Sequence, residues 1–248
     1  MDITFLQWNI WYDEDIQKVA SFLLDNKADI ICLQELSYNN PEQAHPDGPP
    51  YIAEQLGYTY YVKKLHPYEV QGQTVTTANG IFSKYPIKSC RFIWVNEPTG
   101  VGGFADEYRA YLEVVLDIEG KEVTVGTVHM SYTDRFQVTE RKHQETDKLV
   151  AELKKQKSNF IFSGDLNVTP DSYTVKSINE LLNNAGPPIN EKTWTTKPFS
   201  YNGFEETKRK WRLDYIFTSK DVRVLKAKIE ETSASDHLPI SATVRFSK

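Results

Sequence analysis

Short apolar runs alternate with amphipathic stretches from one end of the chain to the other. Residues 3–10 alternate as a strand does. Residues 13–26 place Ile16, Val19, Ala20, Leu23 and Leu24 at helical spacing behind an acidic start. The run 29–34 is a strand buried on both faces. Pro, Asn and Gly mark 38–50 as a loop, and a short helix ends at Gly57. Strands follow over 58–63, 77–83, 87–95, 109–117 and 121–129, with Glu119-Gly120 as a hairpin turn. The segment 96–106, with Pro98, Gly100, Gly102 and Gly103, is a loop. Residues 135–156 read as a long amphipathic helix and 159–163 as a buried strand. A helix from about 171 runs toward Gly186-Pro187-Pro188. Strands near 213–218, 222–229 and 238–246 close the chain. No repeat, low-complexity tract or linker divides it, so residues 1–248 read as one α/β domain around a large mixed sheet core.

Charge narrows the function classes. The 29 Lys+Arg against 34 Asp+Glu leave a formal net charge of −5. That excludes a strongly basic nucleic-acid coat but not a nucleic-acid substrate, because a bound divalent metal supplies positive charge locally. Two cysteines, Cys32 and Cys90, are too few for a disulfide framework, and Cys32 reads as a buried thiol. No apolar run is long enough to span a bilayer, and Met1-Asp2-Ile3-Thr4 lacks a basic leader region. The expectation is a cytoplasmic protein without stable membrane insertion; no protein partner is inferable.

The chemistry gathers where polar residues interrupt apolar strands. Asn9 ends the first strand and Glu35 the second. His129 ends the run 123–128, and Asp165 follows Phe160-Ile161-Phe162-Ser163-Gly164, with Asn167 two residues on. Asp214 opens Tyr215-Ile216-Phe217, and Asp236-His237 open Leu238-Pro239-Ile240. If the late strands run antiparallel to the early ones, all of these reach one sheet edge. Each residue alone has a plain structural role: a helix cap for Asn9, a turn for Gly164-Asp165, a core histidine for His129, a partner of Arg212 for Asp214. Several carboxylates at one edge, however, need compensating cations. An oxygen-rich, thiol-free set suits hard ions such as Mg²⁺ or Mn²⁺ better than structural zinc.

Together Gln34-Glu35, Gly164-Asp165-Leu166-Asn167, Arg212-Leu213-Asp214-Tyr215-Ile216-Phe217 and Ser235-Asp236-His237-Leu238-Pro239 resemble the endonuclease/exonuclease/phosphatase superfamily, over nearly the whole chain. The resemblance implies a four-layered α/β sandwich, two packed mixed β-sheets flanked by helices. It implies Mg²⁺-dependent hydrolysis of phosphate esters, with Mn²⁺ substituting. By motif, Glu35 with Asn9 and Asp236 would serve the metal. Asp165 would orient or deprotonate the attacking water, and Asn167 would hold that water or a phosphate oxygen. His237 would contact the phosphate with Asp214 fixing its tautomer. His129 would stabilise developing charge or protonate the leaving oxygen. The base is Asp165 or His237; both stay open at this point. Trp11 stands where the branch of AP endonucleases carries an acidic residue, and His129 where it carries a tyrosine.

Specificity belongs to loops around the metal, at 38–50, 65–76, 96–108, 131–136 and 196–212. The last interleaves Lys197, Lys208, Arg209, Lys210 and Arg212 with Phe199, Tyr201, Phe204 and Trp211, a pattern that can track a phosphodiester backbone or form a solvated loop. Arg109, Trp211 and Arg212 are the candidate substrate contacts, Arg109 having Asp106 or Glu107 as its alternative partner. The expected activity is phosphodiester hydrolysis, on nucleic acid or on a small phosphate ester or lipid head group. A catalytically inactive phosphate-binding protein is the rival from another class.

Overall fold

The structure, a computed structural model, describes residues 2–100 and 106–246. Its strands are β1 (Asp2–Asn9), β2 (Ile30–Tyr38), β3 (Thr59–Val70), β4 (Gln73–Ser83), β5 (Ile87–Asn96), β6 (Arg109–Ile118) and β7 (Lys121–His129) in the first half. They continue with β8 (Phe160–Asp165), β9 (Asn183–Asn184), β10 (Phe199–Tyr201), β11 (Phe204–Glu206), β12 (Asp214–Thr218), β13 (Arg223–Ile229) and β14 (Ile240–Arg245). The helices are α1 (Ile16–Asn26), α2 (Gly48–Leu56), α3 (Glu140–Leu153) and α4 (Tyr173–Asn179).

Two six-stranded sheets form, in the orders β13-β14-β1-β2-β4-β3 and β5-β6-β7-β8-β12-β9. Both are mixed: β1/β2 and β7/β8 are parallel, while β1/β14 and β8/β12 are antiparallel. The apolar faces of the two sheets meet in one core, with Phe5, Ile30, Ile81 and Val244 from the first sheet against Leu112, Val125, Ile161 and Ile216 from the second. The outer face of the first sheet packs against α1 and α2 through Trp8, Val19, Leu23, Leu33 and Ile52. The outer face of the second packs against α3 and α4 through Leu149, Leu153, Phe162, Val175 and Ile178. Helix, sheet, sheet, helix: the four-layered sandwich is present.

Polar side chains cross the apolar core at one level. Gln7 on β1 and Gln34 on β2 exchange amide hydrogen bonds, the bond from Gln34 Nε2 to Gln7 Oε1 being 3.1 Å. Gln34 Nε2 also donates to Thr127 Oγ1 at 3.0 Å, and Ser163 Oγ donates to Gln7 Oε1 at 3.0 Å. All four side chains are fully buried. The network therefore ties β1 and β2 of one sheet to β7 and β8 of the other, where an amide without a partner would be costly.

Several elements differ from the expected ones. The segment 65–76 is not a loop: β3 and β4 continue as a hairpin whose turn, Gln71-Gly72, takes φ of 49° and 75°. Both values suit the tight turn of a two-residue hairpin. Its tip is exposed and polar residues such as His66, Tyr68 and Thr77 occupy its inner side, so no apolar alternation marked it. The helix expected over 135–156 starts only at Glu140, capped by Thr139, after a 3-10 turn at Asp134–Phe136. The helix from 171 is short because the asparagine-rich stretch 179–184 supports helix poorly. The hairpin β10–β11 had no pattern that announced it. Part of the expected loop 96–106, residues 101–105, lies outside the described residues.

The cross-sheet network makes a prediction. Gln34→Leu strands the hydrogen-bonding groups of Gln7 and Thr127 in hydrocarbon, so the variant should lose about 2–4 kcal/mol of stability. Denaturant unfolding of the two proteins side by side measures this, and a loss within ±0.5 kcal/mol would refute the account.

Candidate active site

Strand ends bring the polar residues together as register dictates. On the second sheet His129 pairs with Asp165 across the parallel β7/β8 contact, and Asp214 pairs with Asp165 across the antiparallel β12/β8 contact. Gly164 lets these strands approach: a Cβ there would lie 2.2 Å from Val128 O, so no other residue fits. On the first sheet Asn9 pairs with Gln34 at the end of β1. The antiparallel β14 starts at the same edge, and the segment 235–237 before it folds over the end of β1. Ser235 Oγ donates to Asn9 O at 2.8 Å, and Trp8 Nε1 donates to His237 O at 2.9 Å.

Glu35 reaches the site by an irregularity. The β2/β4 register shifts between Leu33 and Leu36, and Glu35 adopts a left-handed φ of 58°. A β-bulge with a non-glycine residue in that region is disfavoured and re-aims a side chain. Here it turns the carboxylate toward Asn9 and Asp165. Asn9 Nδ2 donates to Glu35 Oε1 at 2.9 Å and to Asp165 Oδ2 at 3.1 Å, while its Oδ1 accepts from Trp11 N at 3.0 Å. The asparagine thus spaces two carboxylates, one from each sheet.

The two histidines are held oppositely. His237 Nδ1 lies 2.9 Å from Asp214 Oδ2, and its Nε2 lies 3.7 Å from Asp165 Oδ2. Burial opposes its charge, but the carboxylates of Asp214, Asp236 and Asp165 outweigh burial and hold its pKa well above the ordinary histidine range. His129 meets Arg109 instead, whose Nη1 is 3.0 Å from His129 Nδ1. Burial, followed by the Arg109 guanidinium and His237, pushes its pKa well below the usual range. Arginine always donates, so His129 Nδ1 accepts and the neutral ring carries its hydrogen on Nε2. That N–H faces the Asp165 carboxylate, with Oδ2 3.5 Å away; Asn167 Nδ2 lies 3.1 Å from the same nitrogen as a second donor, and its amide donates instead to Met130 O at 3.0 Å.

The donor set suits a hard cation. Burial first, then the Asp236 carboxylate, pushes Glu35 up to about 7. Burial likewise pushes Asp165 up to about 6 against the opposing charge of His237. Glu35, Asp165 and Asp236 therefore crowd three carboxylates around the single charged ring of His237, which Asp214 already pairs, and no sulfur ligand is near: Cys32 is buried in the core. Oxygen donors with uncompensated charge fit a divalent hard ion. Asp165, Asp214 and His237 also bring ligand atoms within 4.8 Å of one another, but Asp214 and His237 are already bonded to each other. Asp236 is held by Trp194 Nε1, which donates to its Oδ2 at 2.8 Å.

The expected substrate contacts divide. Arg109 lines the pocket, forms its ion pair with Glu107 at 2.6 Å, and leaves Nε without a partner. Arg212 faces no substrate. It is fully buried, and its guanidinium donates to the backbone oxygens of Asp214, Pro187, Pro188 and Glu191. Trp211 is likewise turned away: its Nε1 donates to Glu206 at 3.0 Å and its ring packs on Phe136 and Phe204. The other cations of 196–212 are largely neutralised, Lys197 by Glu14, Arg209 by Glu231 and Lys210 by Glu206. The sequence singled out neither the Gln7–Gln34 network nor Trp194 nor Asn79, and it marked His66 and Tyr68 only as part of the specificity segment 65–76, which does border the pocket. Only the isolated polar residues inside apolar strands could have signalled the network.

The family model "Endonuclease/Exonuclease/phosphatase family" matches residues 6–237. The chain belongs to that family, whose members hydrolyse phosphate ester bonds and are generally dependent on divalent metal. An endonuclease/exonuclease/phosphatase from Beutenbergia cavernae superposes with TM-score 0.80 at 20% identity, covering 99% of this chain and 72% of that one. The human Nocturnin catalytic domain with bound sulfate gives 0.71 at 19%, covering 99% and 94%. The mannosyl-6-phosphatase of Bacteroides thetaiotaomicron gives 0.68 at 17%, covering 98% and 100%. No curated protein matches the sequence. Among the described residues, no helix is long and apolar enough to cross a membrane.

Asp214 is expected to be what keeps His237 charged. In metal-free Asp214→Asn the burial penalty is no longer outweighed, so the His237 pKa should fall. Imidazole NMR titration reads this, and unchanged titration of His237 in the variant would refute the assignment. The sign for stability follows. A raised folded pKa contributes fully below the unfolded value of about 6.5 and is lost as pH rises through the folded pKa, so the variant's deficit should be largest at acid pH.

Proposed function

We propose that this protein is a Mg²⁺-dependent phosphoesterase that hydrolyses a compact phosphate ester by in-line attack of water. The observation that carries this reading is the pocket. It is a cavity of about 490 Å³ whose lining includes His129 and His237 together with Glu35, Asp165 and Asp236. Glu35 and Asp236 would hold the cation, with Asp165 beside them and set apart from Glu35 by Asn9. When bound, that ion would neutralise charge on the non-bridging phosphate oxygens and ease departure of the leaving oxygen.

The residues of the chain supply the rest. Asp165 orients the attacking water and takes its proton; a carboxyl pushed up to about 6 is a competent base near neutral pH. This favours Asp165 over His237, which its carboxylate neighbours keep charged and so suit to phosphate binding. Asn167, whose backbone N–H donates to Asp165 Oδ1 at 2.9 Å, fixes that carboxylate and offers its amide to a phosphate oxygen. His129, neutral with Nε2–H, donates a hydrogen bond to the developing charge rather than a proton. Water forms the new P–O bond, the ester P–O bond breaks, and the departing oxygen is protonated from the charged His237 or from solvent.

Of the substrate classes the sequence left open, the pocket favours the small ester. Asp13, Glu107, Glu35, Asp165 and Asp236 line it, with Arg109 as the arginine facing them and Glu107 already pairing it. A duplex backbone needs flanking cations, and those of 196–212 are mostly engaged. The mannosyl-6-phosphatase among the structural neighbours agrees with this reading.

Activity should depend on added Mg²⁺ and vanish in EDTA, and Asp165→Asn should lose about 10²–10⁴-fold in kcat with the fold retained. Release of phosphate or p-nitrophenol from small esters, beside nicking of supercoiled plasmid, tests both parts. Near-wild-type turnover of Asp165→Asn would refute the assignment of the base. Plasmid nicking that exceeds small-ester hydrolysis would refute the substrate class.

A further inference from the structure

The hairpin β3–β4 forms one wall of the pocket, and its polar side chains are unspent. Asn79 is 1% exposed, yet both its Nδ2 and its Oδ1 have no hydrogen-bond partner. His66 Nδ1 and Tyr68 Oη are buried atoms in the same condition. All three residues line the pocket. Their placement follows from two bulges. The β2/β4 shift between Leu33 and Leu36 sets Glu35 close to Asn79's strand, between partners Gly80 and Ala78. The β3/β4 shift between Lys64 and Pro67 is closed by Thr77, whose Oγ1 donates to His66 O at 3.1 Å and accepts from His66 N at 3.2 Å. Tyr68 also packs on Tyr12, with ring centroids 5.3 Å apart, and Trp11 and Tyr12 line the same cavity.

Buried polar groups without partners are rare, and three bordering one cavity point to a ligand that satisfies them. The chemistry of that ligand can be narrowed. Asn79 offers both donors and an acceptor, and Tyr68 offers one hydroxyl that does either. A hydrocarbon would leave these unpaired. An ammonium group cannot accept from the Asn79 amide. A second phosphate would face Asp13, Glu107 and Glu35. Neutral hydroxyls donate and accept at once, and the C–H faces of a polyol ring stack on tyrosine and tryptophan. We infer that His66, Tyr68 and Asn79 form a subsite for the hydroxyl groups of a neutral polyhydroxylated alcohol, the leaving group of a singly phosphorylated sugar or polyol. This rests on the phosphoesterase reading above and names its substrate class.

Glucose 6-phosphate, p-nitrophenyl phosphate and inorganic phosphate serve as probes. In Mg²⁺, calorimetric titration of the Asp165→Asn protein should show glucose 6-phosphate binding at least about tenfold tighter than inorganic phosphate, one satisfied buried hydrogen bond being worth about that factor. Tyr68→Phe and Asn79→Leu on that background should each erase most of that advantage. In turnover by the active protein, the same substitutions should lower the ratio of kcat/KM for glucose 6-phosphate to that for p-nitrophenyl phosphate about tenfold. Equal affinity for the sugar phosphate and inorganic phosphate, or equal loss on both esters in the variants, overturns the subsite. Failure of the active protein to hydrolyse any ester would defeat the phosphoesterase reading alone, since the titrations still decide the subsite.

Discussion

Four buried polar side chains, Gln7, Gln34, Thr127 and Ser163, hold the two sheets at a fixed offset, and the site depends on that offset. Each lies just before a site residue on its own strand. Gln7 precedes Asn9 by two positions, Thr127 precedes His129 by two and Ser163 precedes Asp165 by two, so the strand pleat puts both members of each pair on one face. Gln34 precedes Glu35 by one, and the bulge corrects the difference. Apolar contacts tolerate small sliding, whereas an amide pair without partners in hydrocarbon does not. The network converts a nonspecific sheet-on-sheet contact into a single register. The carboxylates of Glu35 and Asp165, from different sheets, can then share one asparagine.

The site built on this offset separates charge by partner. One histidine faces a carboxylate and one faces a guanidinium, so two chemically identical rings take opposite protonation states a few ångströms apart. This division needs no difference in burial, since both rings are buried. It is decided by what strand β6 delivers to His129, Arg109, and what β12 delivers to His237, Asp214. Beneath the pocket wall, Phe136, Trp194, Phe204 and Leu213 form an apolar platform, and from it Trp194 reaches up to fix Asp236. Aromatic rings packed edge to face give a carboxylate beside other carboxylates a firm seat.

Much of this was legible in the chain. The strand runs and the hairpin at Glu119-Gly120 follow from alternation and turn chemistry, the convergence of strand ends followed once the late strands ran antiparallel, the four-layer architecture was implied by the family resemblance, and the strand-end residues do meet. What failed to read has physical causes. The β3–β4 extension exposes one face and turns mainly polar side chains such as His66 and Tyr68 toward the pocket on the other, so hydrophobic periodicity vanishes there. Arg212 carried the same charge signal as a substrate-binding arginine, yet it satisfies backbone carbonyls in the interior, a difference only tertiary context decides. Trp211, in a basic and aromatic stretch, belongs to the apolar platform. Polar residues such as Gln7 and Ser163 were invisible because one polar residue in an apolar strand looks like tolerance rather than design.

The bulge in β2 exchanges the two faces of its strand. Before it, Ile30 and Cys32 face the other sheet while Ile31 and Leu33 face the helices; after it, Leu36 and Tyr38 face the helices. Even-numbered positions have changed sides. Glu35 sits at the crossover, where neither packing phase claims the side chain. A residue in that seat answers to neither core, so its identity is free to be set by chemistry alone.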